Sequence, residues 1–504
     1  MTQAIINSNL TGLAFAEEAS LLTLPGSPVW YALEPNSYSD FGAKYTLVTR
    51  NTINPSRQLY KGVTADLDAA GGFNMDFTQT NLQRIMQGFF FANAHEKADT
   101  ASFNSTGITI TSTTTSTFTA ASGLTVFIAN SLVLLSGFAT ASNNALNKVS
   151  SSTGTAVTVA TTLVAEASPP AAARAQVVGY QFGADDAAIV YSGGQLSLTT
   201  TTADLTTLSL NVGEWLFLGG DTTTLRFVNN QGWVRIKSIA AHTIILDKST
   251  FTPVSETTTG GKTVQIFFGK FLRNELTTSL IKRRTYQIER QLGSDANGVM
   301  SEYITGAVTD QFDLNIKEAT KVEADLKFVA CGYQANNGLT GIKAGTRVAA
   351  LGETAFNTST DINFVNMSIV SATNPDPSQL FGYVSDAKLT IKNSVKPVKA
   401  VGVLGAFDTT QGNFEVTGTI NAYFTTVDAT AAISNNSNVD LQVFTASNNA
   451  GWMLDMPLLA LGNGQLNVTK DAPITLPIDT TAAQNANGYT AAMCFFSYLP
   501  TIAL

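Results

Sequence analysis

The sequence predicts a mainly β protein, and three observations carry that prediction. Charged residues make up 13% of the 504-residue chain, about half the share of roughly 25% usual in soluble proteins. Hydrophobic residues make up 44%, so the low charge does not signal disorder. Thr, Ser, Asn and Gly take the place of the missing charge, and β-branched Thr, stiff at χ1, favours strands. Segment after segment also alternates apolar and polar residues, the period of a strand with one buried face. This argues against a coiled coil or a helical bundle.

Taken in chain order, the first strong signal is helical. In Thr80–Phe91, Leu82, Ile85, Met86 and Phe89 fall on one helix face. Thr80 or Asn81 would cap that helix by accepting from its free first-turn N–H groups. From residue 104 to 270 the composition turns Thr/Ser/Ala-rich, with a Pro169–Pro170 loop inside. This stretch repeats itself. Ile108–Thr111 matches Leu196–Thr199, Ser131–Gly137 matches Glu214–Gly220, Lys148–Ser150 matches Ile236–Ser238, and Gln176–Val178 matches Gln265–Phe267. Four matches in order predict a duplicated unit, each copy a small all-β module. Strands follow at Tyr286–Gln291, Phe312–Ile316 and Lys321–Phe328. In the last, Val322, Ala324, Leu326 and Phe328 alternate with Lys321, Glu323, Asp325 and Lys327, the pattern of a half-buried antiparallel strand. Phe414–Ala422 alternates again. Gly72–Thr78 resembles Gly418–Thr425, which predicts a second duplication outside the insert. The expected organisation is a first body domain of residues 1–103 plus 271–345, inserted modules at 104–183 and 184–270, and a second body domain at 346–504. One short helix is expected per body copy.

Several function classes are excluded. With 29 basic and 37 acidic residues the net charge is −8, and no basic tail or patch supports sequence-reading nucleic-acid binding. Cys331 and Cys494 form neither a CxxC pair nor a disulfide framework. His95 and His242 are far apart, so no His-based metal site and no cofactor are expected. Walker A, GxGxxG, GxSxG and HExxH motifs do not occur. Asp66–Leu67–Asp68 before Gly71–Gly72 reads as a turn into a strand rather than a cation loop. Lys282–Arg284 reads as solvated charge or an intersubunit ion pair. Glu17–Glu18 and Asp185–Asp186 are adjacent, so on extended chain they point apart and make no glycosidase pair. Trp215, Trp233 and Trp452 read as core aromatics. No basic n-region with a secretory-length apolar core is present, and no apolar run is long enough to span a bilayer. Cytoplasmic folding without a membrane partner is expected. No catalytic constellation appears, which favours a structural or binding protein over an enzyme.

Arg57–Gly62, then Ala70–Phe77, then Leu82–Phe91 resemble the N-terminal signature of tail tube proteins of long-tailed bacteriophages. Arg284–Glu289, Tyr303–Gly306 and the Val322–Ala330 strand continue the resemblance, as do Gly412–Gly418, Tyr423–Phe424 and Asp455–Leu458. It covers roughly residues 1–103 and 271–504, and the insert departs from the simple family pattern. The resemblance implies a tail-tube β-sandwich or barrel, self-assembled into rings that stack into a hollow tube in the virion tail. DNA and tape-measure protein would pass through it, and tail-terminator or distal tail proteins would cap it. Two tube folds per chain would make a trimeric, pseudo-hexameric ring; a single fold would make a hexamer. Asp310, Asp313, Glu318, Glu323 and Asp325 are the lumen candidates, and Arg57 and Lys61 the inter-ring contact candidates. The insert would point outward, as decoration or towards host glycans. The competing readings are an extracellular carbohydrate-binding adhesive β-protein and a polysaccharide hydrolase.

Overall fold

The computed structural model describes residues 6–53, 55–295 and 298–504. The chain is mainly β. The first body segment holds β1 (Gly12–Glu17), β2 (Val29–Leu33), β3 (Pro35–Val48), β4 (Val63–Asp76) and the helix α1 (Met86–Phe89). The insert begins with β5 (Ile110–Thr113), β6 (Thr117–Ala120), β7 (Ser131–Ser136), β8 (Leu146–Ser152), β9 (Ala156–Val159) and β10 (Arg174–Gln181). It continues with β11 (Ala187–Ser192), β12 (Gln195–Thr200), β13 (Trp215–Leu218), β14 (Gly232–Ala240), β15 (Thr243–Ser249), β16 (Glu256–Thr257) and β17 (Gln265–Phe267). The body resumes with β18 (Lys270–Arg273), β19 (Tyr286–Asp295), β20 (Gly298–Lys317), β21 (Glu323–Ala330), β22 (Gly332–Asn336) and β23 (Thr346–Val348). It ends with β24 (Ile362–Ile369), β25 (Val384–Lys392), β26 (Lys396–Lys399), β27 (Ala406–Thr410), β28 (Glu415–Tyr423), α2 (Asp428–Ser434), β29 (Val439–Ser447), β30 (Ala450–Asn463), β31 (Thr475–Ala482) and β32 (Ala492–Phe496).

Among the described residues, 17 strands of the body form one connected sheet system. Its pairings recur. β3 with β4, β4 with β21, β21 with β20, β20 with β19 and β19 with β1 form one set. β25 with β28, β28 with β31, β31 with β30, β30 with β29 and β29 with β24 form a second set in the same order. A β-bulge even sits at the same place in each, between Pro35 and Ser37 and between Val384 and Asp386. The two sets join edge to edge where Gln311–Lys317 of β20 pairs with Lys392–Asp386 of β25. Phe73 and Met75 face the core, as do Ile420 and Ala422. Since side chains alternate strictly along a strand, Asn74 therefore corresponds to Asn421. The glycine match of Gly72 with Gly418 slips by one residue, because Gly418 points inward beside Leu389.

The insert forms its own 13-stranded sheet in the order β16-β11-β12-β15-β14-β13-β17-β10-β7-β8-β9-β6-β5. It too contains a repeated order, marked by matching bulges at Val149/Ser151 and Ile236/Ser238. The match of Ser131–Gly137 with Glu214–Gly220 falls on corresponding strands β7 and β13. The match of Ile108–Thr111 with Leu196–Thr199 does not, since β12 corresponds to β6. Val149 and Ile236 are both fully buried, so Val149 aligns with Ile236 and not with Lys237.

Further expectations change. The Thr80–Phe91 helix is a single α turn, Met86–Phe89, preceded by turns. Its apolar set Leu82, Ile85, Met86 and Phe89 is nonetheless fully buried. Neither expected cap acts as one: Thr80 donates to Glu353, and Asn81 accepts from the Thr78 N–H and donates to the Asp76 carbonyl. Asp66 and Asp68 lie inside β4 rather than in a turn, and both bind the Lys399 ammonium. Arg284 is buried, donating to the Ala92 carbonyl at 2.9 Å and pairing with Glu17 at 3.2 Å, while Arg283 pairs with Asp408. Residues 286–289 of β19 are buried on both faces, with Glu289 held by Tyr303 and Arg347.

Trp215, Trp233 and Trp452 are core residues. Trp233 packs its ring 4.7 Å from Phe444 and 4.8 Å from Phe496, sealing the insert onto the second half of the body. Buried charges pin the same seam. Arg235 meets Asp455 at 3.1 Å and Lys248 meets Asp440 at 3.1 Å. Such pairs offset the desolvation of each charge only while both partners remain.

Candidate functional site

The structural feature that stands apart from the packed core is the outer face of the joined sheet. β3, β4, β21, β20, β25, β28, β31 and the end of β30 run side by side through consecutive pairings. Their inner face is the apolar core, including Phe73, Leu326, Phe312, Leu389, Val416 and Ile478. Their other face is polar. One row across it, in register, reads Ser37, Asn74, Asp325, Asp313, Thr390, Thr417 and Thr481. The next reads Asp76, Glu323, Asn315, Lys388, Thr419 and Asp479.

Asp313 and Asp325 stand directly opposite one another, an arrangement that costs energy unless each carboxylate is satisfied. Both are. Thr390 donates to Asp313 at 2.6 Å and Gln311 donates to it at 2.8 Å. Asn74 and Asn315 donate to Asp325 at 2.9 and 2.8 Å. Lys388 lies 3.8 Å from Asp313, and Lys321 pairs with Asp76 at 2.6 Å. The face thus offers carboxylates, hydroxyls and amides, with lysines spaced among them. None of these strands carries an arginine, so they supply no planar bidentate phosphate clamp to this face.

Of the five acidic candidates, the structure brings Asp313, Glu323 and Asp325 together on this face. Asp310 is the extra residue where the β20–β21 register breaks between Thr309 and Gln311, and its carboxylate accepts from the Val395 N–H at 2.8 Å. Glu318 is exposed just past β20, its backbone N–H bonded to Ser385. Arg57 and Lys61 are exposed in the loop joining the β3–β4 hairpin, with exposed Ile53, Leu59, Tyr60 and Val63 beside them. Residues Asn74, Lys388, Thr390, Thr417 and Thr481 were not anticipated. The signal for the β25 members was present in Asp386–Lys392, where Ala387, Leu389 and Ile391 alternate with Lys388, Thr390 and Lys392.

The histidines are structural: His95 bonds Glu275 at 2.7 Å and His242 bonds the Ala203 carbonyl at 3.0 Å. Among the described residues no cluster of His, Cys, Asp and Glu is arranged to hold a metal, and no helix is long and apolar enough to cross a membrane. Burial pushes the thiol of Cys331 up to about 11, which leaves it a poor nucleophile near neutrality.

Residues 215–482 match a family model described as phage tail tube protein. The match starts at β13 in the insert, ends with β31 and spans more than half of the chain. It leaves out the Arg57–Phe91 stretch that opens the sequence resemblance. No curated protein matches the chain.

Proposed function

Because the chain belongs to the phage tail tube protein family, a structural component of the virion tail that self-assembles into a tube, we propose that three copies form each ring of that tube. The observation that carries this reading is the edge-to-edge joint of β20 with β25. Two equivalent strand sets in one chain would supply two of six positions in a ring, and a ring closed by sheet edges exposes none of the unpaired strands that invite aggregation. The proposed domain division follows: two tube folds, residues 1–103 plus 271–345 and residues 346–504, with the modules 104–183 and 184–270 carried outside as decoration.

In this reading the polar face lines the lumen. Asp313, Glu323 and Asp325, together with the chain's net charge of −8, favour passage of DNA without adhesion, since a phosphate backbone is held chiefly by cations. Tape-measure protein would occupy the same channel before DNA, and tail-terminator and distal tail proteins would bind the tube ends. Arg57 and Lys61, at the tip of the long β3–β4 hairpin, would contact the next ring. Stacking of rings is a head-to-tail contact, which extends without closing. Assembly would take place in the host cytoplasm.

Negative-stain electron microscopy of concentrated protein tests the proposal. Hollow striated tubes with threefold end-on views are expected. Six chains per ring would overturn the trimer, and discrete particles that bind a glycan array would favour the adhesive reading.

A further inference from the structure

The joint inside the chain specifies, residue by residue, the joint between chains. β25 uses one edge for β28 and the other for β20. Its counterpart β3 uses one edge for β4, and among the described residues its other edge has no strand partner. β20 presents Gln311–Lys317 to β25. Its counterpart is the end of β30 and the chain that follows. There Leu459 is the last residue paired with β29, and Ala460–Asn463 pairs with β31 on one side only. The backbone then bulges at Asn463 and Gly464, with φ of 65° and 88°, and rejoins β31 at the Asn467–Thr475 bridge.

That bridge sets the equivalence. Asn315 pairs with Glu323 at the start of β21, and Asn467 pairs with Thr475 at the start of β31. Leu466 packs against the core, as Leu314 does one residue before Asn315. On the other strand the shared bulge aligns Ser37 with Asp386, Tyr38 with Ala387 and Ser39 with Lys388. The observed pairs Asn315–Lys388, Ile316–Ala387 and Lys317–Asp386 therefore translate into Asn467–Ser39, Val468–Tyr38 and Thr469–Ser37. Val468 is 72% exposed in the single chain, whereas its counterpart Ile316 packs against the core beside β25. An exposed valine in line with an unpaired edge is what a strand missing its neighbour presents.

We propose that the free edge of β3 in one subunit pairs antiparallel with Gly462–Thr469 of the next, with Ser39 opposite Asn467. The inference rests on the ring reading and adds its register. The contact joins unlike edges, so it repeats around the ring until it closes.

Cysteine pairing in the full chain tests it. Ser39 and Asn467 are both exposed, and directly opposed residues of an antiparallel pair lie within disulfide reach. The Ser39→Cys/Asn467→Cys double variant, oxidised after assembly, is expected to run as covalent dimer and closed trimer on non-reducing gels. The Ser39→Cys/Val468→Cys control, one residue out of register, is expected to remain monomeric, and each single variant should unfold at the parent temperature. The same samples are viewed by electron microscopy. Tubes with no excess of cross-linking in the matched pair overturn the register while leaving the tube standing. Neither tubes nor cross-links overturns both.

Discussion

Both the body and the insert contain a strand set present twice, but the two duplications are joined in opposite ways. In the body, β20 of the first set meets β25 of the second. These are not corresponding strands, since β20 corresponds to β30 and β25 to β3. In the insert, β10 meets β17, and these occupy the same place in the two halves of the sheet order. Joining like to like is isologous and uses up the matching edges; joining unlike to unlike is heterologous and leaves one edge of each kind free. The insert is thus complete within the chain, while the body ends in two complementary edges that a second copy can fill. A strand set present twice thus leaves no joining edge free in the insert and two in the body, the pair that the proposed ring would use.

The largest expected effect lies at the neck between the two regions. Asp99 binds Arg174 of β10 through two hydrogen bonds and lies 3.1 Å from Lys270 of β18. Burial works to raise the Asp99 carboxyl and is the largest single influence, but the Arg174 hydrogen bond and the charges of Lys270 and Arg174 outweigh it and hold it below its ordinary 3.8. A carboxyl lowered by folding stabilises the protein above its unfolded value, and that contribution is lost as pH falls from 3.8 through the lower folded value. Asp99→Asn, which leaves the buried Lys270 with Glu96 alone and the part-buried Arg174 without its carboxylate, is expected to cost about 3–5 kcal/mol at neutral pH. Denaturant unfolding at a series of pH values should show the gap to the parent closing in strong acid. A gap that persists there would detach the effect from the ion pair.

The two joints can then be broken separately. Leu389 of β25 is 1% exposed and stands opposite Leu314 of β20. Leu389→Ala is expected to destabilise the body by about 2–5 kcal/mol through the cavity it leaves, and to lower the yield of tubes, because the joint that positions both outer edges loosens. Unaltered tubes from a chain destabilised this much would argue that assembly does not depend on the internal joint. Gly179 of β10 lies in the insert joint, and a Cβ there would fall 2.4 Å from the Ile266 carbonyl oxygen of β17. Gly179→Val is expected to cost about 1–3 kcal/mol by forcing those strands apart. Calorimetry should place that loss in the insert, with tubes still forming in the electron microscope. If Gly179→Val abolished tubes, the contrast between a closed insert and an open body would fail.

Much of this was legible in the residues. The alternation of Val322, Ala324, Leu326 and Phe328 with their charged neighbours identifies both the strand and its buried face, because burying apolar surface is the largest favourable term available to it. The same pattern sets Glu323 and Asp325 on the polar side of β21 and Asp313 on the polar side of β20, and the pairing of the two strands brings those sides together. Where pattern and structure part, a specific competitor acts. The helical period of Leu82, Ile85, Met86 and Phe89 named four core residues correctly, yet only Met86–Phe89 is helix. Thr80 and Asn81 spend their side chains on Glu353, Asp76 and Thr78 instead of on first-turn N–H groups, and a helix without such support is marginal.

The sequence by itself determined which residues turn inward, where the chain alternates, and that two of its regions are repeated. Which edge meets which edge was decided only by the tertiary structure. Backbone N–H and C=O groups are the same at every residue, so a strand edge carries no label of its partner. Register is chosen by the side chains on either side of it, acting together once the sheets have packed. That is why Asp310, separated by two residues from Asp313, leaves the shared face at a bulge, and why Ser39 and Lys388 reveal their equivalence only through the bulges beside them.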